Sequence, residues 1–200
     1  MSVAFDAVYL ERQVKRSGLR RVVRQLYLRR HRRLCIGPTL DFGCGAGDLL
    51  AMLPPGSAGF EINSHAVAHA RARGLTIESF ATDADAPDLP GIDPGRFETL
   101  FCGHVLEHLD DPGGTARRLL DAAHERRIAR VVFVVPGQRG FQHDATHRQF
   151  VTRARLEREG LLDPPGWRLR ELSYFPGNAR WLGDYLTHHE LTIVHERVSA

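Results

Sequence analysis

The sequence predicts a doubly wound α/β fold, with helices on both faces of a mostly parallel sheet. Three observations predict it. Short apolar runs near Thr39–Phe42, Ser57–Ile62, Phe97–Gly103 and Arg130–Val135 alternate with helix-like segments, the pattern of successive βαβ units. The last of these runs is β-branched and uninterrupted, as befits a parallel strand buried on both faces. The first run leads into DFGCGAGDLL, Asp41 to Leu50, where Gly43, Gly45 and Gly47 alternate before an apolar helical pattern from Leu49. A strand that turns into a helix through glycines brings bare backbone N–H groups up to a ligand, because a Cβ would block the approach.

The glycine spacing narrows the ligand. Dinucleotide loops read G-x-G-x-x-G, and the third glycine would fall here on Asp48. Asp41, just before the first glycine, would repel a phosphate and suit a cationic ligand. A nicotinamide cofactor is therefore disfavoured.

Composition allows one such domain. The 200 residues are 42% hydrophobic and 26% charged, ordinary for a globular chain with a real core. No apolar run approaches about 18 residues, and the N-terminus lacks the basic-then-apolar order of a signal peptide. Cys35, Cys44 and Cys102 show no C-x-x-C spacing and read as free thiols, so a cytoplasmic location is expected.

Charge divides the chain. Between Glu11 and Arg33 there are ten basic residues and one acid, so that segment carries +9 and the remainder −6 of the net +3. Leu19, Val22, Val23, Leu26 and Tyr27 recur at helical spacing and predict an amphipathic helix with that face inward. Two regions are expected: residues 1–33, a basic helical segment covering the site, and residues 34–200, the main domain. The basic helix suits a solvated cover, an anionic substrate, an anionic lipid surface or, less well, nucleic acid.

The remaining elements follow in order. Ser57 to Ile62 reads as a second strand with Glu61 near its carboxyl end, where α/β sheets bind ligands. Asn63 or Ser64 can cap a helix through Arg73, and Gly74 ends it. Leu75 to Phe80 is a third strand. Asp88 to Gly95 is a Pro- and Gly-rich loop. After the fourth strand, His104 to Leu109 gathers His104, Glu107, His108, Asp110 and Asp111. Asp111 and Pro112 open a helix that runs to about Arg127. The loop Phe141–Phe150 follows the fifth strand. Thr152 caps a helix through Glu159, Trp167 to Phe175 is a strand, Asn178 to Thr187 a short helix, and Glu190 to Val198 the last strand.

Asp41 to Gly47 resembles the first motif of class I S-adenosylmethionine-dependent methyltransferases. GFEINSHAVAHAR, FETLFCGHVLEHLDDP and RVVFVVPG resemble the second, fourth and fifth strand motifs of their type 11 and type 23 small-molecule branch, in the same order. The resemblance implies a Rossmann-like sheet of seven strands, ordered 3-2-1-4-5-7-6, with the last strand antiparallel. It implies S-adenosylmethionine as cofactor, held by Asp41, Gly43, Cys44, Gly45, Gly47, Glu61, Ile62, Asp83, Ala84, Gly103 and His104. Asp85 competes with Asp83 for the place near the adenine. HDATHRQF resembles a segment of the same branch, and the expected catalytic residues are His147 as acceptor-side base or orienting residue, Asp144 supporting it from one helical turn away, and His143 lining the pocket. His143, Asp144 and His147 alone make a thin ligand set, so no metal is expected. The expected activity is methyl transfer to a small or medium acceptor, a hydroxyl of a glycan, lipid-linked or natural-product substrate. An RNA methyltransferase and a non-catalytic binding protein of the same fold are the alternatives. FCGH at the end of the fourth strand, in place of N/D-P-P-Y/F, argues against methylation of base amino groups.

Overall fold

The computed structural model describes residues 18–80 and 84–198, and side chains from residue 22 onward. Helix α1 (Gly18–Leu34) precedes β1 (Thr39–Phe42), β2 (Ala58–Phe60), α2 (Ser64–Ala72) and β3 (Ile77–Glu78). Then come β4 (Thr99–Gly103), α3 (Pro112–Glu125), β5 (Arg130–Pro136), α4 (Gln138–Gln142), α5 (Arg153–Arg158), β6 (Trp167–Phe175) and β7 (Glu190–Arg197). The seven strands form one sheet in the order β3-β2-β1-β4-β5-β7-β6. Neighbours from β3 to β5 pair in parallel, while β7 runs antiparallel to both β5 and β6. The expected fold and strand order are found. No helix among the described residues is long and apolar enough to cross a membrane.

Strand periodicity sorts the core into two layers. Val131, Phe133 and Val135 of β5 face the larger cluster with Leu119 and Leu120 of α3, and Leu191 and Ile193 of β7 join them. Val132, Val134 and Val194 face the other way, onto Leu28 of α1, Leu49 and Phe101. Alternation with a period of two places both sets inside, which is why β5 reads as a continuous apolar run.

Three local expectations are corrected. The chain after the glycine loop forms only a 3-10 turn, Leu50–Met52, because Pro54 and Pro55 follow at once and proline can neither continue the hydrogen-bond ladder nor fit a helix interior. Residues 178–187 likewise hold a 3-10 segment, Arg180–Asp184. The inward face of α1 is also different. Val22 and Leu26 are 60% and 53% exposed, whereas Leu28 and His31 are 7% and 6% exposed. The docked stripe includes a histidine whose ring finds a buried acid, Glu190, at 2.8 Å, so counting apolar residues alone set the helix phase wrongly. Asp111 caps α3 and Thr152 caps α5 as expected, each side chain accepting a backbone N–H.

This phase is testable. Leu28→Ala should destabilise the chain in urea titration by about 2–5 kcal/mol, the range for a buried leucine. Leu26→Ala should stay within about 0.5 kcal/mol of wild type. Equal effects would contradict the docking of α1 described here.

Candidate active site

The strand order reverses between β1 and β4, and the carboxyl ends of such a pair are where open α/β sheets form a ligand crevice. On its first side the glycine loop leaves β1. Gly43 and Cys44 donate their N–H groups to Phe60 O at 2.8 and 2.9 Å. The loop glycines have φ values of 79° at Gly43, 54° at Gly45 and 78° at Gly47, which L side chains rarely adopt. A Cβ on Gly43 would stand 2.2 Å from Val105 Cγ2. Glu61 reaches into this loop: Oε2 accepts from Gly45 N and Oε1 from Asn63 N, both at 2.8 Å. Each carboxylate oxygen keeps a further lone pair for an incoming donor.

The other donor-side candidates are placed as follows. Asp41 is 3% exposed; burial, then the Glu61 carboxylate, push its pKa up to about 7 against the opposing pull of Arg24. Cys44 turns its thiol away from the crevice, for a Cβ on Gly59 would lie 2.5 Å from its Sγ. Only the Cys44 backbone faces the loop, and burial, then Asp41 and Glu61, raise its thiol pKa. Asp48 does not touch the crevice chemistry; Arg24 and Arg73 clasp it at 2.9 and 3.2 Å. Ile62 is 52% exposed and rims a groove shared with Glu61, Ser79 and Phe80. Ala84 is exposed, and its carbonyl accepts from Arg118 at 2.8 Å. Asp83 lies outside the described residues. Gly103 ends β4, packed against the Phe101 ring.

His104 follows β4 with φ 58°, a costly conformation for a residue with a Cβ. It is held there from both ends. Its backbone N–H donates to Val134 O at 2.8 Å. Its Nδ1 lies 3.2 Å from Glu107 Oε1 and its Nε2 3.4 Å from Glu190 Oε2. A ring that donates from both nitrogens is an imidazolium. Burial opposes that charge, but the two carboxylates outweigh it and raise the pKa to about 10. Glu190 in turn is pulled down to about 2: burial resists, and His31 and His104 overcome it. With 45% of its side chain exposed and both ring nitrogens given to carboxylates, His104 presents a cationic ring with no lone pair to act as a base.

Beyond His104, the acceptor-side candidates are arranged differently from expectation. The expected pair of His147 with Asp144 does not form. Residues 143–147 make turns rather than a helix, and Asp144 Oδ1 instead accepts from the N–H and hydroxyl of Thr146 at 2.9 and 2.7 Å. Burial pushes the Asp144 pKa up, and the Thr146 hydrogen bonds with nearby His147 and His108 bring it below the ordinary value. His147 donates Nδ1–H to Phe141 O at 2.8 Å and stacks on the Phe141 ring. Its Nε2 lies 3.8 Å from Glu107 Oε1. His143 is exposed on the turn. The carboxylate at the centre is therefore Glu107, fully buried.

Four members of the site escaped the sequence-level set. Glu107 and His108 carried a signal, since HVLEHL puts titratable groups three and four residues apart. Glu190 and His31 carried none beyond an acid opening an apolar strand and a histidine within a basic helix.

Residues 9–196 match the family model described as a methyltransferase domain, type 23. A ubiquinone biosynthesis O-methyltransferase of Methylococcus capsulatus is 31% identical over 97 residues, which is 45% of this chain and 40% of that protein. The match thus spans less than half of that relative. Among solved structures, a SAM-dependent methyltransferase from Archaeoglobus fulgidus aligns with TM-score 0.67 at 17% identity, over 96% of this chain and 100% of that one. A magnesium protoporphyrin IX methyltransferase from Synechocystis, with bound S-adenosylhomocysteine, aligns with TM-score 0.65 at 14% identity, over 97% and 96%.

The raised Asp41 gives a pH prediction. A net cationic ligand such as S-adenosylmethionine stabilises the ionised carboxylate, so its binding should release a proton below about pH 7. Affinity should rise with pH by up to about tenfold per unit through that window and level off above it. Stability of the free protein carries the opposite sign: this group's contribution is full below its unfolded pKa and lost as pH rises through about 7. Calorimetry in buffers of different ionisation enthalpy measures the proton, and Asp41→Asn should abolish it. A pH-independent affinity in wild type would contradict the placement of Asp41 beside the ligand.

Proposed function

Since the family model spans nearly its whole length, the chain belongs to the methyltransferase-domain family, and we propose that it moves the sulfonium methyl of S-adenosylmethionine to a hydroxyl of a small or medium acceptor. Methyl transfer from S-adenosylmethionine is the family's chemistry. The observation that carries the donor half is the Glu61 carboxylate, fixed by Gly45 and Asn63 N–H groups beside the glycine loop. There it can accept both ribose hydroxyls of the donor.

The transfer is an in-line displacement at carbon. The sulfonium is already a good leaving group, so the protein's work is to align the nucleophile with the methyl and to exclude water. Oxygen as the nucleophile is supported by the likeness to the ubiquinone biosynthesis O-methyltransferase and by the polar ring around Glu107. A hydroxyl must shed its proton. With Nδ1–H committed to Phe141 O, His147 keeps its lone pair on Nε2, beside Glu107. That nitrogen is the acceptor-side base or orienting group, and Glu107 offsets any positive charge that develops on it. The cationic His104 stabilises negative charge growing on the acceptor oxygen. Asp144 acts one step back, shaping the turn through Thr146.

The acceptor we favour is a glycan, lipid-linked or natural-product hydroxyl with an anionic portion. Arg29 and Arg33 of α1 line a groove with Leu26, Leu34 and Phe175, a mixed apolar and basic wall that suits such a molecule. Arg24 and Arg30 of the same helix are engaged internally, with Asp48 and with Glu171 and Ser173.

Incubation with methyl-labelled donor and fractionated extract, followed by mass identification of the product, tests the reading. In the assay so established, His147→Ala, checked for folding by circular dichroism, should lose about 10²–10⁴-fold in turnover while donor affinity holds. Unchanged turnover would remove His147 from the mechanism. A label found on RNA, or on no product at all, would favour the other two classes.

A further inference from the structure

Two imidazoles are held with the same polarity around one buried carboxylate. His147 donates Nδ1–H to Phe141 O. His108 Nδ1 lies 3.0 Å from Thr146 Oγ1 and 3.3 Å from Thr146 O. The Thr146 hydroxyl hydrogen is already given to Asp144 Oδ1, so toward His108 that oxygen accepts and the ring nitrogen carries the proton. In its neutral form each ring thus has its lone pair on Nε2. Their centroids are 4.7 Å apart. Glu107 sits fully buried beside them, and its Oε2 has no hydrogen-bond partner among the described residues.

One donor atom each from Glu107, His108 and His147 lies within 4.8 Å of the others. Glu107 Oε2, buried with no hydrogen-bond partner among the described residues, is costly to leave without a donor or a cation beside it, and His104 meets only the Oε1 side. The far nitrogens are bound as metal-ligating histidines usually are, each Nδ1–H on an oxygen that fixes tautomer and ring angle. Asp144 completes that outer layer through Thr146.

We infer that Glu107, His108 and His147 form a divalent metal site. Two imidazole nitrogens and one carboxylate oxygen suit Zn²⁺, Mn²⁺ or Co²⁺. His104 occupies Oε1 of Glu107, which leaves Oε2 for the ion. Small side-chain rotations bring the donors to bonding distance, about 2.0–2.2 Å from the metal. Three protein ligands leave open positions that an acceptor oxygen can take.

The role of the ion in turnover rests on the hydroxyl reading given above; its binding does not. With its Nε2 on the ion, His147 orients the acceptor rather than taking its proton: a hydroxyl coordinated there is acidified and gives its proton to water. The oxygen lone pair then forms the bond to the methyl carbon as the carbon–sulfur bond breaks, and the sulfur leaves as the neutral thioether of S-adenosylhomocysteine.

The test begins with metal alone. The chelator-stripped full chain is titrated with Zn²⁺ and with Mn²⁺ by calorimetry, and with Co²⁺ by visible absorption. One ion per chain is expected. His108→Ala and His147→Ala should each weaken binding by at least about 100-fold, and Thr146→Val, which touches only the outer layer, by about 10–100-fold. Circular dichroism checks that each variant folds; should one alanine variant not, the other and Thr146→Val decide. No binding at millimolar ion, or affinities unchanged in the folded variants, would overturn the site. Methyl transfer intact without any bound ion would also overturn it while leaving the proposed reaction standing. A bound ion whose removal stops transfer to a hydroxyl supports both.

Discussion

The exit of β2 holds the exit of β1. Phe60 O accepts two loop N–H groups, from Gly43 and Cys44, and the next residue, Glu61, takes a third from Gly45 through its side chain. Those bonds bend the glycine loop upward with its backbone exposed to the crevice, at φ values only glycine adopts cheaply. They also explain its surroundings. Cys44 is drawn inward onto Gly59, and a larger residue at 59 would collide with it. Asp48 at the loop's far end is clasped by α1 and by Arg73. The N-terminal helix is thereby tied to the glycine loop. Because the helix after the loop shrinks to one 3-10 turn, α1 supplies much of the cover on that face through Leu28.

The other half of the crevice depends on alternating acids and histidines. His31, Glu190, His104, Glu107 and His147 follow one another at 2.8, 3.4, 3.2 and 3.8 Å. They come from α1, the start of β7, the exit of β4 and the loop after β5. Two buried carboxylates would be costly alone, and each is flanked by imidazole on more than one side. Breaking one partner away is expected to cost more than the pair contributes, because a buried charge is left behind. The chain of contacts therefore joins segments distant in sequence and sets a cationic ring at the carboxyl end of β4. It also explains why His104 tolerates a left-handed backbone: both ring nitrogens and its N–H are committed.

Much of this was legible in the sequence. The apolar run of β5 declared burial on both faces, the glycines of the first loop declared a strand exit with left-handed backbone, and Asn63, Asp111 and Thr152 declared helix starts. What escaped was decided by tertiary partners. The docking face of α1 turned on His31 meeting Glu190, 159 residues away, which no helical period can reveal. Asp144 satisfied its own turn instead of His147, the usual competition between a short acidic side chain and its local backbone. Glu107 was visible as a residue and not as a centre, since its burial depends on the loop after β5 folding over it, where Arg148 and Gln149 N–H groups meet its carbonyl.

The claim on which everything else stands is that Glu61 and the glycine loop form the donor site. Calorimetric titration of S-adenosylhomocysteine into wild type and Glu61→Ala measures it most directly. The account predicts one molecule bound per wild-type chain, and a loss of about 1.5–3 kcal/mol in the variant from charge-assisted hydrogen bonds to the ribose. Equal affinity in the two proteins, or no binding to wild type at millimolar ligand, would contradict it.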